Sequence, residues 1–336
     1  MLVGGTNRGE ASMKRTLSWQ IAIASLLVCG AGQSPAQEYP AKPIRIVIPY
    51  PPGGGTDVTA RLLAPHLTER WGRPVIVDSR PGGAAMIGTD IVAKSPPDGY
   101  TILLSVSPEM ALNVTLFKKM PYDPVRDFQP VTLLGTSPPV LMAHPSLPVR
   151  SVKQVIALAR ANPGALSYAT PGLGQPHHFA GELIKLSLKI DWVHIPYKGA
   201  GPMLIDMLGG HVPLGFAAAT VALPPVKAGK LRGLAVASAQ RSPSMPDLPT
   251  IAESAIPGFD IVQWYAIWVP ARTPKGIVDK LHAEFVRIAR TTDFRQKWLE
   301  AATDVVGSTP EELARFQLAE IEKYKKIAAA AGMKPE

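Results

Sequence analysis

Cysteine is all but missing from this chain: Cys29 stands alone among 336 residues. That excludes a disulfide framework, a cysteine nucleophile beyond residue 29 and a cysteine-bound metal, so stability has to come from a packed core. Basic runs interleaved with aromatic residues are also missing, and aromatics make up only 7% of the chain. The footprint of a nucleic-acid binder is therefore absent. No apolar run reaches the roughly 20 residues of a membrane-spanning helix. Catalytic signatures are lacking as well. No Gly-Lys-Ser/Thr follows the glycine-rich stretch at 53–55, and the glycine spacing is wrong for a dinucleotide fingerprint. There is no Gly-x-Ser-x-Gly elbow, no Ser-x-x-Lys and no spaced pair of carboxylates. Internal repeats and low-complexity linkers are absent too.

What is present describes a globular protein large enough for two lobes. The chain is 46% hydrophobic and only 18% charged, with 35 prolines that fix many turns and edges. The N-terminus reads as an export signal. Lys14 and Arg15 follow Met13, which offers an alternative start to Met1, and an apolar stretch runs from Leu17 to Cys29. Ser34-Pro35-Ala36 supplies small residues for cleavage after Ala36. Val28 in front of Cys29 argues against lipidation. The formal charge is +9, and residues 1–36 carry +2 of it, leaving +7 spread along the mature chain. That excess suits a solvated surface with a mild pull on anionic solutes.

From Tyr39 onward, short apolar runs alternate with amphipathic segments. The pattern predicts strands over 44–48, 75–77, 101–105, 131–134, 140–143, 167–169, 191–195, 214–217, 231–237 and 264–269. It predicts helices over 57–71, 86–94, 152–161, 175–188, 201–208, 274–290, 293–302 and 310–331. Such alternation argues for an α/β protein with mainly parallel sheets. Without a linker, extended strands should carry the chain between lobes, and the runs 131–135 and 231–237 are the best candidates. The expected organisation is a leader over 1–36, one lobe from 37–135 and 238–336, and a second lobe over 136–237.

The most informative stretch is Pro49-Tyr50-Pro51-Pro52-Gly53-Gly54-Gly55-Thr56-Asp57, set between a predicted strand and a predicted helix. Glycines allow positive φ and close approach, and the free amides of a helix start suit a carboxylate or phosphate. An ordinary tight turn is the plain alternative. Asp57 can cap the helix, reach a ligand through water, or do both. Similar glycine turns occur at Arg80-Pro81-Gly82-Gly83 and at Thr170-Pro171-Gly172-Leu173-Gly174-Gln175. Three such turns at strand ends fit a ligand held by backbone amides in a crevice. His177 and His178 point about 100° apart on a helix, which favours a polar pocket wall over a zinc site. In Pro196-Tyr197-Lys198-Gly199, either Tyr197 or Lys198 faces an anion, or the lysine is simply solvated. Trp264 and Tyr265 read as core or crevice wall.

These residues also carry a family resemblance. Tyr39-Pro40-x-Lys42-Pro43-Ile44-Arg45, Pro49-Tyr50-x-Pro52-Gly53-Gly54, Arg80-Pro81-Gly82 and Pro97-Asp98-Gly99-Tyr100-Thr101 resemble the solute-binding receptors of tripartite tricarboxylate transporters, called Bug-type proteins. Pro121-Tyr122-Asp123-Pro124, His178-x-Ala180-Gly181-Glu182, Val193-His194-Ile195-Pro196-Tyr197-Lys198-Gly199 and Pro249-Thr250-Ile251-Ala252-Glu253 extend the likeness over the whole mature chain.

The resemblance implies a type II, two-lobed periplasmic-binding-protein-like α/β fold, with a ligand cleft between lobes joined by two crossover strands. It implies a periplasmic, monomeric receptor that hands a small organic carboxylate to the membrane subunits of the transporter, with no cofactor, no metal and no catalytic turnover. It places the ligand among Tyr50, Pro52, Gly53, Gly54, Thr56, Asp57 and Ser107 on one side. Thr170, Gly172, Gly174, Gln175, His178, Tyr197 and Lys198 would face them. The chain departs from the family at Ala217-Ala218-Ala219, where many relatives carry an acid, and at Val106, where a polar residue is common. Both departures predict an acid with an uncharged core, aliphatic or aromatic, rather than an amino acid. A receptor serving a sensor kinase and a secreted hydrolase using His177 or His178 are the rival readings.

Overall fold

The computed structural model describes Met1 and residues 39–335. The expected leader and its cleavage position lie outside the described residues, Met1 apart. From Lys42 onward the strands are, in chain order, β1 (Ile44–Ile48), β2 (Val75–Ser79), β3 (Thr101–Val106), β4 (Phe128–Ser137), β5 (Pro139–Ala143) and β6 (Ser167–Thr170). Then come β7 (Val193–Pro196), β8 (Leu214–Ala218), β9 (Arg232–Val236), β10 (Gln263–Pro270) and β11 (Asp304–Val305). The helices are α1 (Gly55–Trp71), α2 (Met86–Ala93), α3 (Asn113–Leu116), α4 (Val152–Ala161), α5 (Pro176–Leu188) and α6 (Ala200–Leu208). They continue with α7 (Ala219–Lys227), α8 (Ile251–Ser254), α9 (Lys275–Ala289), α10 (Thr292–Glu300) and α11 (Pro310–Ala330). A π-helical turn, Pro108–Leu112, precedes α3. Among the described residues no helix is long and apolar enough to cross a membrane.

The strands form two sheets, ordered β11-β4-β10-β3-β1-β2 and β7-β6-β8-β5-β9, and the fold is a two-lobed α/β one. The expectation of mainly parallel sheets needs correcting. β1 pairs parallel with β2 and β3, and β6 with β7 and β8. β10, however, runs antiparallel to β3 and β4, β11 antiparallel to β4, and β5 antiparallel to β8 and β9. The reason is connectivity. Strands joined by a crossover helix return parallel, whereas β5 and β10 arrive from the other sheet and enter against their neighbours. One residue, Pro138, separates β4 from β5. The return path lies beside it: the Ala237 amide donates to the Pro139 carbonyl at 2.8 Å, and the Ile261 amide donates to the Ala237 carbonyl at 2.8 Å.

Local chemistry accounts for several boundaries. β1 is buried at four of its five residues, as a strand with neighbours on both sides and helices over it should be. α1 ends at Gly72, whose φ of 61° lets its amide turn back to the Thr68 carbonyl. α4 starts from Ser151, whose side chain accepts from the Gln154 amide. α11 carries a full capping box: the Thr309 hydroxyl accepts from the Glu312 amide, and the Glu312 carboxylate accepts from the Thr309 amide at 2.8 Å. Replacing Thr309 by alanine should cost about 1 kcal/mol. A denaturant midpoint that falls while the slope stays constant would register that loss, and an unchanged midpoint would refute it. α11 also ties the lobes together, with Tyr324 edge-on to Phe179 of α5 at 4.9 Å between ring centres.

Candidate functional site

The loop after β1 is built by its own backbone. Ser79 donates its hydroxyl to the Tyr50 carbonyl at 2.6 Å, and Gly53 adopts a φ of 85°, which brings the chain round to the start of α1. The Asp57 carboxylate accepts from the Gly53 amide at 3.0 Å and from Arg61 Nε at 2.9 Å. Its pKa is lowered, chiefly by the Arg61 hydrogen bond and then by that amide. Asp57 thus closes the loop back onto its own helix. Gly88 lets α2 sit against this loop, since a Cβ there would stand 2.9 Å from the Pro49 Cα.

A cavity of about 280 Å³ opens at the start of α1. Tyr50, Pro51, Pro52, Gly54, Gly55 and Thr56 form one wall. Val106 at the end of β3, and Gln263 and Tyr265 on β10, form its floor, and Gln175 enters from the second lobe. None of these residues carries a charge. Their polar groups are the first amides of α1, which have no carbonyl partners within the helix, together with hydroxyls and carboxamides. Gln263 Nε2 donates to Tyr265 Oη at 3.2 Å, and burial raises the pKa of the Tyr265 phenol, keeping it a neutral donor. Behind the floor lies Glu109, fully buried. Tyr50 donates to its Oε2 at 2.8 Å and the Val106 amide to its Oε1 at 2.7 Å. Burial pushes its pKa up to about 7, against the pull of those donors.

The structure therefore gathers Tyr50, Pro52, Gly54, Thr56 and Gln175 of the sequence-predicted set around one cavity. The others stand behind or beside it. Ser107 is fully buried, with Oγ accepting from the Trp264 amide at 3.1 Å. Thr170 Oγ1 donates to the Gly172 carbonyl at 3.1 Å and lies 2.7 Å from His194 Nε2. Gly174, at φ 67°, donates its amide to His178 Nδ1 at 3.3 Å, and a Cβ there would come within 2.5 Å of Leu116 Cδ1. His178 stacks on His194 at 4.2 Å between ring centres. Tyr197 donates to Asp206 Oδ2 at 2.6 Å, and Lys198 is exposed. Thr170 and His178, through these bonds to Gly172 and Gly174, shape the second loop, which carries Gln175.

His177 is buried, without a hydrogen-bond partner for either ring nitrogen among the described residues, and burial lowers its pKa to about 4. No group of three or more His, Cys, Asp or Glu side chains is placed to hold a metal ion among the described residues. Tyr265, expected as core or crevice wall, lines the cavity, whereas Gln263 and Glu109 escaped recognition as site residues in the sequence. For Gln263 and Tyr265 a signal existed: positions i and i+2 of a strand share a face, and Trp264 between them points into the core. Glu109 offered none.

Two lobes around an uncharged, donor-lined cavity define the class as a solute-binding receptor. Residues 59–333 match the tripartite tricarboxylate transporter family receptor, and the chain belongs to that family. Its receptors are periplasmic and are not a class of enzymes. Protein BugT of Bordetella pertussis is 35% identical over 94% of this chain and 98% of its own. An R. palustris protein solved with adipate matches with a TM-score of 0.79 and 35% identity, over 89% of this chain and 100% of that one. The periplasmic binding protein BugD matches at 0.74 and 31%, over 89% and 100%. MatC of Rhodopseudomonas palustris, solved with malate, matches at 0.73 and 28%, over 86% and 99%.

Proposed function

We propose that this receptor captures a small aliphatic carboxylate in the cavity at the start of α1 and delivers it to the membrane subunits of a tripartite tricarboxylate transporter. The observation that carries the reading is the meeting of the α1 amide terminus with neutral phenol and carboxamide donors in a cavity of about 280 Å³ without a charged wall residue. Such a site stabilises an anion through the helix dipole and charge-assisted hydrogen bonds, each contributing roughly 1.5–3 kcal/mol. Relatives solved with adipate and with malate support this ligand class. Val106 on the floor supports an aliphatic rather than a zwitterionic solute, because a buried ammonium there would meet no acidic wall residue.

Release and capture use the paired connections at 135–139 and 237–262 as hinges, near the lobe boundaries expected at 135/136 and 237/238. The mature chain begins after Ala36 in the periplasm, acts as a monomer and leaves its ligand chemically unchanged. His178 supports the last point, since its Nδ1 is already committed to the Gly174 amide.

A thermal-shift screen of residues 37–336 against mono-, di- and tricarboxylates and amino acids tests the proposal. A ligand at a hundredfold excess over its Kd adds about 2.7 kcal/mol, which a melting curve resolves. Aliphatic mono- or dicarboxylates should give the largest shift. A larger shift with aspartate or glutamate would overturn the assignment of the solute.

A further inference from the structure

Glu109 is a carboxyl group that the family likeness does not call upon, yet it sits directly behind the cavity. It bridges two of the wall residues, taking the Tyr50 hydroxyl on one oxygen and the Val106 amide on the other. The Tyr122 hydroxyl donates to its backbone carbonyl at 2.8 Å. No cation forms an ion pair with it among the described residues. The phenols of Tyr50, Tyr122 and Tyr265 are the titratable groups that face this region. Charged groups of the neighbouring elements have partners of their own, while the second oxygen of Asp90 is buried without one among the described residues and helps to raise the Tyr122 pKa. On α2, Asp90 is paired with Lys94; on α1, Asp57 with Arg61; on α11, Glu320 with Lys323. Gln317 of α11 spends its amide on the Met110 and Pro124 carbonyls.

A phenol has one hydrogen to give. While Glu109 is ionised, Tyr50 spends that hydrogen on Glu109 and can only accept from the cavity side. Once Glu109 carries a proton, its own O–H donates to Tyr50 Oη, and the Tyr50 hydrogen is released to point at a ligand. An anion in the cavity favours the second arrangement twice over. It needs the donor, and it raises the cost of a second buried negative charge close by. Resting on the carboxylate reading above, we infer that binding of a carboxylate is coupled to proton uptake from solvent by Glu109, which reverses the Glu109–Tyr50 hydrogen bond and turns Tyr50 into a ligand donor.

Because the free carboxyl titrates at about 7, affinity should be greatest below that pH and fall as pH rises through it. If the ligand raises the Glu109 pKa by about one unit, the Kd should rise roughly fivefold between pH 6.5 and 8.5. Titration calorimetry with adipate, in two buffers of different ionisation enthalpy near neutral pH, reads the proton directly. The expected result is net uptake by the wild-type protein. Glu109→Gln, whose amide donates to Tyr50 at every pH, should bind with a Kd that is flat over the same range and take up no proton. Tyr50→Phe should bind more weakly at pH 6.5 and lose most of the pH dependence.

Wild-type binding with the same Kd at both pH values and no proton exchange overturns the coupling, whatever the variants do. An infrared titration of the ligand-free protein separates the two claims. The carbonyl stretch of a protonated carboxylic acid should be present at pH 6.5, fade by pH 8.5 and be missing in Glu109→Gln. If that band titrates but adipate and the other carboxylates of the screen fail to bind at pH 6.5, the carboxylate reading falls and takes the coupling with it. If carboxylates bind and the band is absent, Glu109 is not the proton acceptor.

Discussion

Gly55→Val should lower affinity for the carboxylate selected by the thermal screen by roughly a hundredfold, the loss expected when a donor to a charged group is removed. A Cβ at residue 55 would stand 2.6 Å from Tyr265 Oη, too close for both to keep their places. Tyr265 is almost fully buried, and its ring lies 5.8 Å from that of Trp298, so it has little room to retreat. Either its hydroxyl leaves the cavity or the start of α1 shifts, and both changes take a donor from the wall. The fold itself should survive. Gly55 is the first helical residue, its φ is outside the left-handed region, and valine is a better helix former than glycine by about 0.3 kcal/mol. Calorimetry for the affinity and a ligand-free melting curve for the fold separate the two effects. Affinity equal to that of the wild type would mean that the ligand does not use this corner.

The largest loss of stability is expected at Gly135, in β4 close to the crossing into the second sheet. A methyl group there would lie 2.3 Å from the Asp304 carbonyl oxygen and 2.4 Å from Trp298 Cζ3. Neither neighbour can give easily. Asp304 belongs to β11, which is paired with β4, and Trp298 is buried against Phe294 at 4.8 Å between ring centres. Gly135→Ala should therefore cost about 3 kcal/mol, the upper part of the range for overpacking, and lower the Tm by about 6 °C. Gly276→Ala is the matched control. It lies in α9 with no atom within 4 Å of the added Cβ, so it should be neutral or stabilising. Equal melting temperatures for the two variants would show that β4 and β11 separate at little cost.

Much of the fold was legible because it is written locally. The bounds of α4, Val152–Ala161, follow from a serine cap at one end and Asn162-Pro163-Gly164 at the other, and they needed no knowledge of the rest of the chain. The five apolar-rich residues of β1 announce a buried strand in the same way. α7 was hidden because Pro224 and Pro225 lie inside it, and prolines read as helix breakers even where a short helix tolerates them. β11 has two residues and no pattern of its own; it exists because β4 offers an edge to pair with. The site divides along the same line. The glycine turn before α1 is a local signal, and so is the turn that presents Gln175.

By itself, the sequence determined an α/β chain of two lobes, a donor-rich corner at the first strand–helix turn and the family to which the protein belongs. The first two rest on patterns of periodicity, capping and turn chemistry that span a few residues; the family was read from its resemblance, through motifs spread along the whole mature chain. Only the tertiary structure decided that the sheets are mixed, that Gln263 and Tyr265 floor the cavity, and that Asp57 serves its own loop. It alone placed Glu109 on Tyr50, 59 positions away in the chain. The physical reason is that a buried carboxyl is defined by what surrounds it. Its charge state depends on lost water and on donors drawn from distant segments, and no local pattern encodes that environment.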